Sequence, residues 1–371
     1  MLEKVIAFRQ HIHQYPEISG EETQTRKALK DFLTAMGFSN FKELNGGSFL
    51  VYLGDSSKAK IVFRAEQDAL PIQEENEMTY QSSIQGKAHL CGHDGHMSTL
   101  LYLAELIKND GLSKYCPCLL FQSAEETGQG AKLSLADEQL KKEHIKAFFA
   151  YHNLPAYPKG KLLFAAPTFA AGSVGVKIRL RGHTAHAARP EQAKNPSKAM
   201  RVLMDFCDAN TNVNGGPWMT VCHARLGEAA FGITPGEALL QVTVRSFDQQ
   251  ELEQLLEQLK QEAIAQAEKE NLKIEVEFLE DFPVLMNHPE LHDKVLSIAQ
   301  AKQYERLEEP VCWSEDFAFY REIAPIYMFC VGSGEQQPPL HNPGYDFPDE
   351  IIEPTAQFFH SIAKKLDQHE L

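Results

Sequence analysis

Val174-Gly-Val-Lys-Ile-Arg-Leu-Arg181 alternates apolar and charged residues as a strand with one covered face does, and the segments that follow it decide the fold. A helical spacing of apolar residues runs through PSKAMRVLMDFCD at 196–208. Strands are predicted over WMTVCHARL at 218–226 and ALLQVTVRSF at 238–247. A long amphipathic helix over 249–270 and a last strand, LKIEVEFL at 272–279, complete the run. The order β-α-β-β-α-β is that of a ferredoxin-like unit, expected to occupy residues 173–281.

Outside this run the rhythm is different. Upstream, helices over 2–14 and 21–36 lead to strands over 48–53 and 59–65, a helix after His93, and strands over 118–123 and 147–151. Downstream, a helix over 290–302, a short helix over 314–323, a strand over 326–331 and a helix over 353–366 resume the pattern. These strands are unbroken apolar runs, the mark of parallel strands covered on both faces. An α/β chain is therefore expected: a mostly parallel catalytic domain built from 1–172 and 282–371, with the domain 173–281 inserted into it. Two domains also suit a chain of 371 residues, which exceeds what one hydrophobic core usually holds.

Composition narrows the function. With 43% hydrophobic and 23% charged residues the chain is ordinary globular material. A net charge of -15 opposes a nucleic-acid partner, since neutralising phosphates needs clustered Lys and Arg. Apolar runs such as IVF at 61–63 are strand-sized, far short of the roughly 20 residues of a membrane span, so no membrane partner is expected. The opening MLEKVIAFRQHIHQYPEIS lacks the apolar stretch of a secretory signal, which points to the cytoplasm. Seven cysteines spread from Cys91 to Cys330 with no CxxC spacing read as reduced thiols.

The chemistry-bearing residues recur at strand ends. His89-Leu-Cys91-Gly-His93-Asp94-Gly-His96 offers a thiol, imidazoles and a carboxylate beside two glycines, and Cys91 and His93 can address one ion from a turn. Glu125-Glu126 follows the strand at 118–123, at the carboxyl edge where open α/β sheets bind ligands. Adjacent acids there cost free energy unless a cation offsets them. His152 ends the next apolar run, His341 follows the last strand, and Asp68 lies just past the strand ending at Ala65, placed to orient a ligand. Taken singly, each has a plainer role: a helix cap, an acidic first turn, a loop histidine. Their recurrence describes a metal site, and Cys with His suits a borderline-soft divalent ion.

With these residues in view, the chain resembles the aminoacylase-type metallopeptidases, in the branch of hippurate hydrolase, indole-acetyl-amino-acid hydrolases and N-acetyldiaminopimelate deacetylase. The motifs carrying the resemblance span nearly the whole chain. They are His13-Gln-Tyr-Pro16-Glu17, RAEQDALP at 64–71, Cys91 to His96, FQSAEE at 121–126, His152 to Pro155, His186 to Pro190, Ser314 to Phe317 and Leu340 to Pro343. The resemblance implies a zinc-peptidase-like catalytic domain with an inserted dimerisation or lid domain, and a homodimer. It implies two divalent ions (Zn, Mn, Co or Ni) held by Cys91, His93, Glu126, His152 and His341. Glu125 matches the general base that activates a water toward the amide of an N-acyl amino acid, and His186 matches a histidine that steadies the oxyanion, sometimes from the partner subunit. Arg245, near the end of a lid strand, is a candidate partner for the substrate carboxylate.

Four positions depart from the relatives: Glu66-Gln67 stands in RAEQDALP where they usually have Asp-Met, Gly232 replaces an Asn that positions substrate, and Ser123 replaces a Pro. Three alternatives compete with the acyl amino acid hydrolase. A dipeptidase or carboxypeptidase would share the fold, a thiol hydrolase would use Cys91 with His93, and a silent dimeric scaffold would have no use for Glu125.

Overall fold

Seven-residue runs such as Lys60–Glu66 and Cys116–Gln122 are buried along their whole length, so they can only be central strands covered on both faces. In the computed structural model, which describes residues 1–368 apart from 166, 213, 214 and 301–303, they lie at the heart of an eight-stranded sheet. Its order is Phe41–Glu43, Phe49–Tyr52, Cys116–Gln122, Lys60–Glu66, Ile145–Pro155, Ile326–Gly334, Leu162–Phe164, Tyr304–Arg306. The four strands in the middle run parallel, so their carboxyl ends and the loops leaving them share one edge.

The helix His93–Asp110 packs against the strand Lys60–Glu66 and between the helices Leu2–Gln14 and Ile352–Gln368. Leu2–Gln14 buries Val5, Phe8 and Ile12, the helical stripe its sequence shows. Aromatic rings fill the layer beneath: Phe63 stacks on Phe149 at 5.6 Å and meets Phe359 edge-on at 5.1 Å.

Contacts divide the chain into two units, one of Met1–Phe169, Met286–Glu309 and Asp316–Leu371, the other of Ala170–Leu285 with Pro310–Glu315. The second unit carries an antiparallel sheet in the order Lys273–Phe282, Gly172–Arg181, Glu237–Ser246, Trp218–Leu226. Helices Ser197–Ala209 and Gln249–Lys269 complete its β-α-β-β-α-β order. Strand Gly172–Arg181 buries Val174, Val176, Ile178 and Leu180, which is the alternation read from the sequence. Asp248 caps the long helix by accepting from Gln250 N (2.8 Å) and Glu251 N (2.9 Å). Below the cap, Leu252, Leu255, Leu259, Ala263 and Ala267 form its buried stripe.

Several boundaries differ from the sequence expectation. The strand expected over 147–151 runs Ile145–Pro155, because its ladder with Ile326–Gly334 continues past Tyr151 and takes His152 into the strand opposite Cys330. The short helix expected over 314–323 is a 3-10 helix, Asp316–Glu322. The helix expected to reach 302 is seen as Pro289–Ala299, and positions 301 and 302 lie outside the described residues. Strands Phe41–Glu43, Leu162–Phe164 and Tyr304–Arg306 were not anticipated, since three residues are too few to show a period.

Leu259 is fully buried under the second unit's sheet. Leu259→Ala is expected to destabilise that unit by about 2–5 kcal/mol, read as a lower denaturant midpoint of unfolding.

Candidate metal centre

The turn Cys91-Gly92-His93 delivers two donors at the start of a helix. Gly92 has φ 101°, and a Cβ there would stand 2.4 Å from Asn153 Oδ1, so the position needs glycine on two counts. His93 Nδ1 donates to the backbone carbonyl of Asp68 at 2.8 Å, with the Asp68 carboxylate 3.5 Å away. That bond fixes the ring and leaves Nε2 buried without a hydrogen-bond partner. The Asp68 carboxylate itself accepts from Ser19 Oγ (2.7 Å) and from the backbone N of Glu126 (2.9 Å). Asp68, two residues past the strand Lys60–Glu66, thus sets both His93 and the chain at Glu126.

Glu125 and Glu126 leave a tight turn. Ala124 sits at φ 51° and donates its N–H to Glu22 Oε1 at 2.7 Å, while a Cβ on Gly130 would overlap the Ser123 carbonyl. His341, also at positive φ (65°), is held by its N–H on Leu90 O at 2.9 Å. His152 comes from the strand interior, its Nδ1 2.9 Å from the carbonyl of Asn153.

These segments bring six of the expected residues together. Donor atoms of Cys91, His93 and His152 lie within 4.8 Å of one another, and so do those of Cys91, Glu126 and His341, and of His93, Glu125 and Glu126. Cys91 Sγ is 3.4 Å from His152 Nε2, and Glu126 Oε1 is 3.5 Å from His341 Nε2 and 3.8 Å from His93 Nε2. Glu125 Oε2 is 4.0 Å from His93 Nε2. Cys91 is thus common to two donor groups, and Glu125 belongs to neither of them.

The electrostatics describe a cluster short of positive charge. Burial pushes the Glu126 carboxyl up to about 7, with Asp68 adding to the rise against the pull of His93. Burial, with Glu126, likewise holds the Cys91 thiol well above its ordinary value. His152 is held well below, by burial and then by His96, which keeps its imidazole in the neutral form that ligates metals. Glu126 Oε1, like His93 Nε2, is buried with no hydrogen-bond partner. A thiol, imidazoles and carboxylates gathered at one edge, with His93 Nε2 and Glu126 Oε1 lacking hydrogen-bond partners, fit two borderline-soft divalent ions.

A buried charge network behind the helix start was not expected from the sequence, which offered the Asp94 carboxylate as part of the metal motif or as a helix cap; the structure instead engages it with Arg9 and His13. Asp94 Oδ2 accepts from Arg9 Nε and His13 Nδ1, both at 2.9 Å, and His13 Nε2 lies 3.1 Å from Glu74 Oε1. All four side chains are buried. Burial opposes charge on His13, but Asp94 and Glu74 outweigh it and raise the imidazole to about 9. The available signal was Arg9 and His13, four apart beside the apolar face of the first helix. Glu66, the departure in RAEQDALP, is buried too. Arg64 and then His96 hold its carboxyl well below the usual range in spite of desolvation, and Arg64 reaches on to Asp316 Oδ1 at 2.8 Å.

His186 and Arg245 belong to the second unit. His186 is exposed, bridges to Ile233, and accepts the N–H of Ala188 on Nδ1 at 3.1 Å. Arg245 donates from Nη1 to Cys312 O (3.1 Å) and Ser314 Oγ (2.9 Å). A Cβ on Gly232 would meet nothing within 4 Å, so steric need does not explain the glycine.

The His13 shift carries a pH signature. A group raised from 6.5 to about 9 on folding contributes stability that is complete below pH 6.5 and lost as pH rises through 9. Urea unfolding is therefore expected to show lower stability at pH 9 than at pH 6, and His13→Gln to flatten that slope.

Residues 62–365 match the description of peptidase family M20/M25/M40. An uncharacterized hydrolase of Staphylococcus saprophyticus is 30% identical over 379 residues, which cover 99% of this chain and 98% of the relative. One of Staphylococcus epidermidis is 30% identical over 376 residues, 98% of each. Among solved structures, the Bacillus subtilis YXEP protein, a dinuclear metal binding peptidase from the M20 family, shares the fold with a TM-score of 0.84 at 22% identity, over 99% of this chain and 98% of that one. An aminobenzoyl-glutamate utilization protein from Klebsiella pneumoniae does so with a TM-score of 0.72 at 16% identity, over 97% and 95%.

Proposed function

The chain belongs to peptidase family M20/M25/M40 and is a metallo-hydrolase of amide or peptide bonds; from that premise we propose that it hydrolyses the amide bond of N-acyl amino acids. The observation that carries the proposal is the pair of donor groups sharing Cys91, with a further carboxylate, Glu125, beside them and outside both. Cys91, His93 and His152 would hold one divalent ion, and Cys91, Glu126 and His341 a second, of Zn, Mn, Co or Ni. Bound there, the ions supply Lewis acidity, lowering the pKa of water toward neutrality and offsetting negative charge on the carbonyl oxygen.

The chain's own residues do the rest. Glu125 is nearly buried, 4.0 Å from His93 Nε2, where a carboxylate can take the proton of the attacking water and return it to the leaving amine. Asp68, through its carbonyl and carboxylate, keeps His93 and the Glu126 backbone in register. His186 is assigned to the oxyanion and Arg245 to the substrate carboxylate, on the strength of the His186 to Pro190 motif and of the fork a guanidinium offers. Acyl acid and free amino acid are the products.

We take the acting form to be a homodimer joined through the second unit. That unit exposes Leu226, Phe231, Ile233, Phe278 and Leu279, apolar side chains that a second copy could cover. A cytoplasmic setting suits seven free cysteines. Among the described residues no helix is long and apolar enough to cross a membrane.

Metal-stripped protein is expected to regain cleavage of N-acetyl, N-benzoyl or indole-acetyl amino acids when Mn, Zn, Co or Ni is restored. Glu125→Gln should keep its metal content and lose about 10²–10⁴ in turnover. Cleavage of dipeptides but of no acyl amino acid would replace this substrate class with that of a dipeptidase. No cleavage with any metal would favour a silent scaffold.

A further inference from the structure

Asn153 and His96 have no part in the chemistry above, yet their hydrogen bonds join the segments that carry the donors. Asn153 follows His152 on its strand. Its Nδ2 donates to the Cys91 carbonyl (3.0 Å) and to Tyr345 Oη (2.6 Å), in the segment just past His341. With the amide nitrogen so engaged, Oδ1 faces His96 Nε2 at 2.5 Å, and Nε2 must be the donor. The other ring nitrogen of His96 lies 2.7 Å from Glu66 Oε2, and Glu66 is held in turn by Arg64. Asn153, His96, Glu66, Arg64 and Tyr345 are all essentially excluded from water.

The amide also touches the turn itself. Gly92 packs against it so closely that a Cβ would fall 2.4 Å from Oδ1 and 2.8 Å from Nδ2. The peptide that follows Cys91 is therefore gripped by its carbonyl and by the face of the next residue. Cys91 has one sulfur to offer two donor groups, so the rotation of that peptide decides whether both can be served.

We propose that Asn153, held in place by His96 and Glu66, is a positioning residue that sets the direction in which Cys91 presents its sulfur to both donor groups. This rests on Cys91 being a metal ligand, as put forward above. A side chain that only filled a polar hole would stabilise the fold and leave the metal–sulfur bond alone. The two roles therefore separate in a measurement of that bond rather than of turnover.

The probe is Co2+ alone, added to metal-stripped protein. Its near-ultraviolet thiolate charge-transfer absorption reports the sulfur–cobalt bond directly, and competition with a chelator reports affinity. Wild type is expected to show the band and Cys91→Ser to lose it. Asn153→Ala and His96→Ala should each weaken the band and hold Co2+ about 10–100-fold less tightly. The double variant should be little worse than either single one, because the two act as one unit. His96→Gln, which keeps an N–H for Asn153 Oδ1, should restore much of the loss. A folded Asn153→Ala with the wild-type band and affinity overturns the proposal. Should Asn153→Ala not fold, the His96 pair decides, and equal bands in His96→Ala and His96→Gln overturn it. A band that survives Cys91→Ser removes the ligand assignment itself, and the proposal with it.

Discussion

Buried carboxylates that outnumber the cations beside them are the constraint around which the larger unit is built. Glu126 and Asp68 meet at one sheet edge, largely shut off from water, with Glu125 adjoining. In a low-dielectric interior such a concentration of like charge cannot stay ionised without compensation. Two devices supply it. Deep in the fold, Arg9, His13 and Arg64 neutralise Asp94, Glu74, Glu66 and Asp316 with charged hydrogen bonds. At the edge itself, on the ligand set proposed above, the compensation would fall to ions.

The division follows from geometry. Guanidinium groups are large and rigid, and the structure places them behind the helix start and along the strand Lys60–Glu66, where they fix backbone. The edge keeps compact donors: a thiol, imidazole nitrogens and carboxylate oxygens. Parallel strands make this possible, because several of them end side by side and each can spend its next residues on a single donor. Strain is spent there too: Ala124 and His341 both take positive φ within the segments that carry donors.

Much of this was legible from the residues. The β-α-β-β-α-β run could be read because each of its strands alternates and each of its helices carries an apolar stripe. Cys91, His93, Glu125, Glu126, His152 and His341 could be proposed as one site because they recur at the ends of apolar runs, and the structure gathers them. What escaped was set by pairing rather than period. His152 lies inside a strand because the neighbouring ladder extends past it, and Asp68 holds His93 mainly through a backbone carbonyl, which no side-chain pattern announces. His96 was read as one of the imidazoles of its motif, but its pairing with Asn153 escaped because a buried amide looks like any loop residue until its neighbours are known. Arg9 and His13 could have been noticed, as charges beside an apolar helical face.

The sharing of Cys91 between two donor groups has a consequence for how the protein ages. A thiol is the one donor in the set that air and peroxide can alter, through sulfenic and then irreversible sulfinic acid. Were the two groups independent, such damage would silence one and spare the other. Here a single oxidised sulfur takes a donor from both at once, so the centre has no half-damaged state. On the ligand set proposed above, bound ions would occupy the sulfur and so double as its preservative.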